Sequence, residues 1–203
     1  MDGGAGPSLP LRRELARKAL HITSAVVPIG YAAGVPRGVV LALLAALLAV
    51  AVVVEAVRHR HGIARAVFHR AAGPLLREHE HHRWSGATWM LVAYALVVWL
   101  APRDAAVAAM WAVAVGDAAA AVVGRWLGRR RFGAAGKSLE GSVACLAATA
   151  VGAVWVAGLG IAAGIAAGVA AAAAEWPDGP LDDNVRVAGA VALTVVAATA
   201  ILG

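Results

Sequence analysis

Apolar residues of this 203-residue chain fall in long runs, and the polar residues lie in the segments between those runs. Runs of this length and purity predict helices that cross a lipid bilayer. The predicted fold class is therefore all-α: a polytopic membrane helical bundle of about seven transmembrane helices packed side by side in lipid. The expected spans are 19–35, 39–57, 86–101, 105–123, 143–157, 161–174 and 185–202.

The segments around the first spans have patterns of their own. Residues 1–10 show no apolar periodicity and are expected to be a disordered N-terminus. The charged stretch 11–20 predicts a helix at the membrane interface that runs into the first span, which Pro28 should kink. A second interfacial helix is expected over 63–76, broken near its end at Gly73.

Three glycines in the sixth predicted span share one helix face. Gly160, Gly164 and Gly168 lie four residues apart, so their side of the helix carries no side chains there. A neighbouring helix can approach such a face closely. We interpret the three glycines as a packing groove and not as part of a binding site.

The composition and the charge exclude two functional classes. Hydrophobic residues make up 61% of the chain and the mean hydropathy is +0.75, which is too apolar for the surface of a soluble domain. A net charge of +6 could indicate nucleic-acid binding. However, the basic residues lie in loops between the apolar runs, where membrane proteins carry them, so we expect no nucleic-acid partner.

Lysine and arginine alternate between rich and poor loops. The segment before the first span has four of them, and the loops after the second and fourth spans have six and five. The loops after the first and third spans carry only Arg37 and Arg103. The positive-inside bias therefore places the N-terminus and the rich loops in the cytoplasm. We predict a multi-pass integral protein of a bacterial or archaeal inner membrane.

The segment 116–142 holds the most informative polar residues. Asp117 lies inside an apolar run, and an ionisable group within a span costs several kcal/mol unless it is paired or hydrated. A functional role is the favoured interpretation, and a structural ion pair with Arg125 is the alternative. Lys137 and Glu140 follow in a glycine-flanked loop, where a lysine can neutralise phosphate and Glu140 or Asp117 can hold Mg²⁺.

The glycine-flanked loop is not a Walker A sequence, because Arg131 stands where GxxxxGK[ST] requires glycine. Backbone N–H groups of Gly141 and Ser142 could contact phosphate at the positive end of the fifth predicted helix. The alternative is that Ser138 and Ser142 cap that helix.

An acidic segment, 175–184, is predicted to face the cytoplasm as well. The adjacent residues Asp182 and Asp183 could bind Mg²⁺ or accept the proton of a hydroxyl group. The alternative is a cap for the last helix, formed by Asp183 or Asn184.

Polar groups in the first half of the chain have two interpretations each. His21 and Glu55 lie in the first two spans, where they either satisfy each other or line the path of a lipid substrate. The cluster 79–82 contains three histidines and Glu80, but its spacing matches no known zinc site and favours a surface loop.

Taken in order, these residues resemble the signature of the CTP-dependent lipid-alcohol kinases, which include dolichol kinase, phytol kinase and bacterial polyprenol or diacylglycerol kinase relatives. The likeness covers nearly the whole chain, and its most specific part is Gly116-Asp117 with the following Lys137-Ser138-Leu139-Glu140-Gly141-Ser142. The other matching segments are Glu14–His21, Glu55–Arg58, Arg77–Glu80 with Ser85–Thr88, and Leu181–Asn184.

The resemblance implies that 11–203 form a single kinase domain, which transfers the γ-phosphoryl group of CTP to a lipid alcohol at the cytoplasmic face. It implies Mg²⁺ as cofactor and CTP as phosphate donor. The implied catalytic residues are Asp117, Lys137, Glu140, Asp182 and Asp183, of which Asp117 and Glu140 would hold the metal. Implied nucleotide contacts are Gly116, Gly124, Arg125, Gly128, Lys137, Ser138, Gly141 and Ser142. The substrate-side candidates are Arg17, His21, Glu55, Arg58 and Glu80.

Two alternative functions remain. The phosphatidate cytidylyltransferases share a similar acidic and lysine-containing signature and also use CTP. This chain lacks their Ser-Pro before Lys137, and Asp182-Asp183-Asn184 replaces their Asp-Arg-x-Asp. A membrane transporter could use Asp117 as a proton relay, but the loop 137–141 would then have no role.

Overall fold

The computed structural model describes residues 11–73, 83–132, 136–176 and 181–202, and these are mostly helical. Residues 1–10 and the cluster 79–82 therefore lie outside the described part of the chain. The elements are α1 Leu11–Thr23, α2 Val26–Ala32, α3 Arg37–Arg60, α4 Gly62–Ala71, α5 Gly86–Leu100, α6 Arg103–Trp111, α7 Asp117–Trp126, β1 Arg131–Phe132, β2 Lys137–Ser138, α8 Leu139–Trp155, α9 Ile161–Ala174 and α10 Asp183–Leu202.

Helices α3 and α5 run antiparallel, as contacts at both of their ends show. At one end of the molecule the Arg37 guanidinium, in the first turn of α3, donates to the Trp99 carbonyl at the end of α5. At the other end, the backbone N–H of Ser85, just before α5, donates to Glu55 Oε1 near the end of α3 at 2.8 Å. The end that holds Glu55 also holds the ends of α7 and α9 and the beginnings of α8 and α10, because one cleft joins these four helix ends and Asn184 of α10 bonds to Gly86 of α5.

Small residues form much of the core. Almost every side chain from Ala105 to Ala114 is buried, which lets α6 lie at the centre of the bundle. Gly164 and Gly168 of α9 face α8, where a Cβ atom on Gly168 would lie 2.5 Å from the Leu146 carbonyl oxygen. The predicted packing groove is thus confirmed for these two glycines. Gly160 differs, because no atom lies within 4 Å of the position of its Cβ.

The outer surface is strongly apolar. Helix α3 buries only one narrow stripe, and Leu43, Leu47, Val50 and Val53 on its other sides are exposed. Among the described residues, three helices have the length and apolar composition needed to cross a membrane: Arg37–Arg60, Arg103–Trp126 and Asp183–Ile201. The helices Gly86–Leu100, Leu139–Trp155 and Ile161–Ala174 are apolar but shorter. This surface is compatible with a membrane protein.

The first predicted span is divided into two helices. The chain turns at Ser24 and Ala25, between α1 and α2, and Pro28 lies in the first turn of α2. Proline has no N–H to donate and its ring crowds the carbonyl four residues earlier, which belongs to Ser24. The predicted kink is therefore a complete break, one turn before the proline.

The helix predicted over 105–123 is continuous from Arg103 to Trp126 but contains a π-helical turn at Ala112–Gly116. The short antiparallel pair β1 and β2 was not predicted, and it pairs Arg131 with Ser138 and Phe132 with Lys137. Both irregularities lie beside the polar residues singled out from the sequence.

Candidate functional site

One cleft of about 540 Å³ gathers most of the polar residues singled out from the sequence. It opens at the end of the bundle where α7 and α9 finish and α8 and α10 begin. Its polar lining comes from α1, α7, the β1–β2 pair, α8, α9 and α10. The lining residues that the sequence predicted are Arg17, His21, Asp117, Gly124, Arg125, Lys137, Ser138, Gly141, Ser142 and Asp183.

Asp117 begins α7 directly after the π-helical turn. Its carboxylate forms an ion pair with the Lys18 ammonium and lies 3.4 Å from His21 Nδ1. The suggested structural partner, Arg125, is thus replaced by Lys18 and His21 of α1. The Asp117 side chain is still 29% exposed, on the cleft side, while Lys18 is 3% exposed. A π-helical turn is often associated with a functional site, and here it displaces Asp117 from regular helical register.

Helix α1 forms one wall of the cleft. Arg17, Lys18 and His21 stand at positions that share one face of a helix, and that face lies against α7. Val113, inside the π-helical turn, lines the same cleft as His21. Lys18 was absent from the predicted site set, although it lies between Arg17 and His21 in the same charged segment.

Three predicted nucleotide-binding glycines have a packing role around Ser138. A Cβ atom on Gly124 would lie 2.8 Å from Ser138 Oγ, and one on Gly141 would lie 2.7 Å from the Ala120 carbonyl oxygen. A Cβ atom on Gly128 would also lie 2.8 Å from Ser138 Oγ. These contacts let α7 and α8 approach until Gly124 and Gly141 nearly touch.

The fourth predicted glycine, Gly116, also has a packing role. A Cβ atom there would collide with the Thr149 hydroxyl of α8. Gly116 and Gly128 are not among the residues that line the cleft. They hold the cleft's walls together without forming its surface.

The alternative role of Ser138 as a helix cap is confirmed. Its hydroxyl accepts from the Gly141 N–H at 3.1 Å, so this N–H is already bonded within the protein. Ser142 does not cap the helix, because it lies inside α8; its hydroxyl accepts from Trp176 Nε1 at 3.0 Å. The Trp176 ring stacks on Phe132 of β1, with ring centres 6.0 Å apart. This stack fixes the β1–β2 pair against the end of α9.

Lys137 lies on β2, at the edge of the cleft. Its ammonium donates to the backbone carbonyl of Glu175, directly after α9. Arg131, across the hairpin, donates to the Gly136 carbonyl at 3.0 Å and also lines the cleft. The short hairpin therefore carries two cations to the same opening.

Glu175 is a buried carboxyl group on the cleft that was not among the residues predicted for the site. It is 7% exposed, lines the cleft, and accepts a hydrogen bond from Cys145 Sγ at 3.2 Å through Oε1. Burial, and next the negative charge of Asp117, raise the pKa of Glu175 to about 7. The only sequence signal was its position as the first residue of the acidic segment 175–184, directly after an apolar run.

The two aspartates before α10 have separate roles. Asp182 Oδ1 accepts from the Asn184 N–H at 2.9 Å, so the capping residue is Asp182 and not Asp183 or Asn184. Asp183 lines the cleft and forms an ion pair with Arg186. Asn184 also lines the cleft and donates to the Gly86 carbonyl at 3.2 Å, which ties α10 to α5.

Glu140 does not line the cleft. It lies in the first turn of α8, where Oε2 accepts from the Arg130 N–H at 3.5 Å. The structure therefore does not bring Glu140 and Asp117 to a common opening.

Glu55 and Arg58 form a buried network away from the cleft. Arg58 Nε donates to Glu55 Oε2 at 2.5 Å and its guanidinium donates to the Arg83 carbonyl at 2.6 Å. Thr88 donates to Glu55 Oε1 at 3.1 Å. His21 and Glu55 therefore do not satisfy each other. The network secures the start of α5, and Glu80 lies outside the described residues.

Within the described residues, no group of three or more His, Cys, Asp or Glu side chains could hold a metal ion. Magnesium does not need such a group, because it is often bound by one or two carboxylates together with substrate phosphates and water. The partly exposed carboxylate of Asp117, on the wall of a cleft rich in cations, fits this mode of binding.

Comparisons of the chain with protein-family models, with curated proteins and with solved structures give no match.

Proposed function

We propose that this chain is a kinase that transfers the γ-phosphoryl group of CTP to a membrane-embedded lipid alcohol of the polyprenol, dolichol or phytol type. The observation that carries the proposal is one cleft with a partly exposed carboxylate, Asp117, among several cations. The cations that line it are Arg17, Lys18, Arg125, Arg131 and Lys137. Such a surface suits a polyanion such as a nucleoside triphosphate.

Phosphoryl transfer depends mainly on positioning and charge neutralisation, since the protein does little covalent chemistry. Lys137 and Arg131, fixed by the hairpin, would neutralise the phosphates at one side of the cleft, and Arg125 would do so at the end of α7. The N-terminus of α8 faces the same opening and adds a partial positive charge. The hydrogen bond from the Gly141 N–H to the Ser138 hydroxyl keeps that helix end in place.

Asp117 is the residue that would hold Mg²⁺ in this kinase. When bound, the ion would offset negative charge on the phosphates. Lys18 and His21 orient the Asp117 carboxylate from the side of α1. Arg17 lies on the same wall, where it would contact phosphate or the acceptor's head.

The proposal includes a membrane arrangement of seven spans with the cleft at the cytoplasmic face. Three observations support it: the long apolar helices, the alternating direction of successive long helices along the chain, and the basic residues at the end that holds the cleft. Val113 and Val187 give the cleft an apolar part, which suits the carbon atoms next to the acceptor hydroxyl. The choice of CTP over other triphosphates rests on the family resemblance alone.

Site variants of the purified protein test the proposal. We expect Asp117→Asn and Lys137→Ala to lower γ-phosphoryl transfer from CTP to a polyprenol by about 10²- to 10³-fold, the usual loss when a charge contact to the transition state is removed. Asp104→Asn is the matched control, because Asp104 lies in the first turn of α6 at the opposite end of the 103–126 helix. Near-normal transfer by either site variant would remove that residue from the proposed site.

A further inference from the structure

The cleft contains a carboxyl group whose surroundings differ from those of the other acidic residues described on its lining, Asp117 and Asp183. Glu175 is buried at the end of α9, and its Oε1 is held by the Cys145 thiol of α8. Among the described residues, no lysine, arginine or histidine nitrogen forms a salt bridge with its carboxylate. Lys137, at the edge of the cleft, bonds to the Glu175 backbone carbonyl instead.

Three other carboxylates that the structure describes at this end of the bundle are already engaged. Asp117 is paired with Lys18, and Asp183 is paired with Arg186. Asp182 accepts two hydrogen bonds from Asn184 as the cap of α10. Each of these three carboxylates is therefore occupied by a cation or by N–H donors, whereas the donor to the Glu175 carboxylate is the Cys145 thiol.

We infer that Glu175 is the proton acceptor for the hydroxyl group of the lipid alcohol, in place of Asp182 or Asp183. This inference rests on the proposed function and adds a catalytic residue to it. A buried carboxyl group on the wall of a phosphate-binding cleft, without a cation of its own, is arranged to change its protonation state during turnover.

The surroundings of Glu175 tune its basicity to neutral pH. The groups that face it are Asp117 from α7, Lys137 from β2, Lys18 from α1 and Cys145 from α8. Burial and the charge of Asp117 raise its pKa to about 7, although both lysines oppose the rise. A general base works best when its pKa is close to the working pH, because it is then both deprotonated and basic.

The chemical step balances with these groups alone. The acceptor oxygen forms a bond to the γ-phosphorus of CTP, and its proton passes to the Glu175 carboxylate. The bond between the γ-phosphorus and the β,γ-bridging oxygen breaks, and CDP leaves with that electron pair. Glu175 then releases its proton to water before the next turnover.

The first experiment compares Glu175→Gln with the wild type and with Asp104→Asn, using CTP, Mg²⁺ and a polyprenol. Glutamine has the same shape as glutamate but cannot take a proton in this range. We expect kcat to fall by about 10²- to 10⁴-fold, while KM for CTP changes by less than about threefold. A purely structural role would not produce this division between kcat and KM.

A second acceptor distinguishes a base from a packing residue. An allylic alcohol with fluorine atoms near the hydroxyl loses its proton more readily, so it depends less on a base. We expect the deficit of Glu175→Gln to shrink at least about tenfold with the fluorinated acceptor. An equal deficit with both acceptors would overturn the inference.

The wild type provides a measurement that does not depend on the stability of any variant. Its kcat should fall about tenfold per pH unit below the pKa of the base, and level off above it. A profile that is flat between about pH 5.5 and 8.5 would overturn the inference, as would near-normal kcat in Glu175→Gln. Either result would leave the proposed function intact, because the wild type would still transfer phosphate. Failure of the wild type to transfer at all would instead overturn the proposed function.

Discussion

The Asp117 carboxylate forms an ion pair with the Lys18 ammonium, although 99 positions separate the two residues along the chain. The pair joins α1, predicted to be an interfacial helix, to the residue at which α7 begins. Lys18 is almost completely buried, while part of the Asp117 carboxylate faces the cleft. The charged segment at the start of the chain is therefore a structural part of the candidate site.

Replacing Lys18 with methionine should destabilise the protein, because the largely buried Asp117 carboxylate would lose its main partner. We expect a loss of about 3 kcal/mol in the free energy of unfolding, at the low end for a broken buried pair since Asp117 is 29% exposed. Denaturant titration in detergent measures this. The double variant Lys18→Met with Asp117→Asn should recover part of the loss.

Arg60→Met is the matched control for this experiment, because Arg60 is an exposed cation at the end of α3. Its effect should stay within about 0.5 kcal/mol. A stability of Lys18→Met equal to that of the control would show that the pair does not anchor α1.

The close approach of α7 and α8 at Gly124 and Gly141 gives a second prediction. Gly141→Ala would place a methyl group 2.7 Å from the Ala120 carbonyl oxygen, so the helices must separate. We expect a loss of about 1–3 kcal/mol and a lower affinity for nucleotide, measured by denaturant titration and by CTP binding.

Gly189→Ala is the control for this second prediction. Gly189 lies inside α10, and nothing lies within 4 Å of the position of its Cβ. There alanine should be neutral or stabilise the helix by up to about 1 kcal/mol. Equal effects of the two alanine substitutions would contradict the packing role assigned to Gly141.

The raised pKa of Glu175 links stability to pH. Its ordinary value is 4.5 and its folded value is about 7, so the folded state binds this proton more tightly than the unfolded state. Stability should therefore be lost as pH rises from 4.5 through 7, by roughly 3 kcal/mol in total for this group. The difference in unfolding free energy between the wild type and Glu175→Gln, measured across that pH range, gives the contribution of Glu175 to the pH dependence of stability. A difference that does not change with pH would show that Glu175 titrates normally.

The proposed membrane arrangement predicts which residues are accessible from each side. In a Cys145→Ser background, a cysteine at Arg130 should react with a membrane-impermeant thiol reagent only from the cytoplasmic side. A cysteine at Arg103 should react only from the outside, because Arg103 lies at the opposite end of its helix. Labelling of position 130 from outside would place the cleft on the side of the membrane that lacks cytoplasmic nucleotide, and would contradict the proposed arrangement.

The apolar pattern predicted the long helices well, because turn residues and charges flank them directly. The predicted range 161–174 coincides with α9, which Gly160 precedes and Glu175 follows. The pattern could not predict the break before Pro28, because a break and a kink leave the same sequence signal. It also gave no sign of the π-helical turn before Asp117, since that turn has no composition of its own.

The sequence predicted many of the residues at the candidate site, but not the contacts between them. Asp117, Lys137 and Asp183 meet at one cleft, as the sequence suggested. However, a glycine that lets two helices touch looks the same in sequence as one that lets backbone approach a phosphate, and Gly116 proved to be the former. Glu175 was missed because its role depends on burial beside Cys145, which only the fold creates.

The position of the transferred label tests the central claim most directly. The purified protein is incubated with Mg²⁺ and with CTP labelled on either the α- or the γ-phosphate. The lipids offered are polyprenol, phytol, farnesol, diacylglycerol and phosphatidate. We predict γ-label in an isoprenoid alcohol, with release of CDP. The appearance of α-label in phosphatidate, with release of pyrophosphate, would contradict the kinase and indicate a cytidylyltransferase, and no label in any lipid would contradict both.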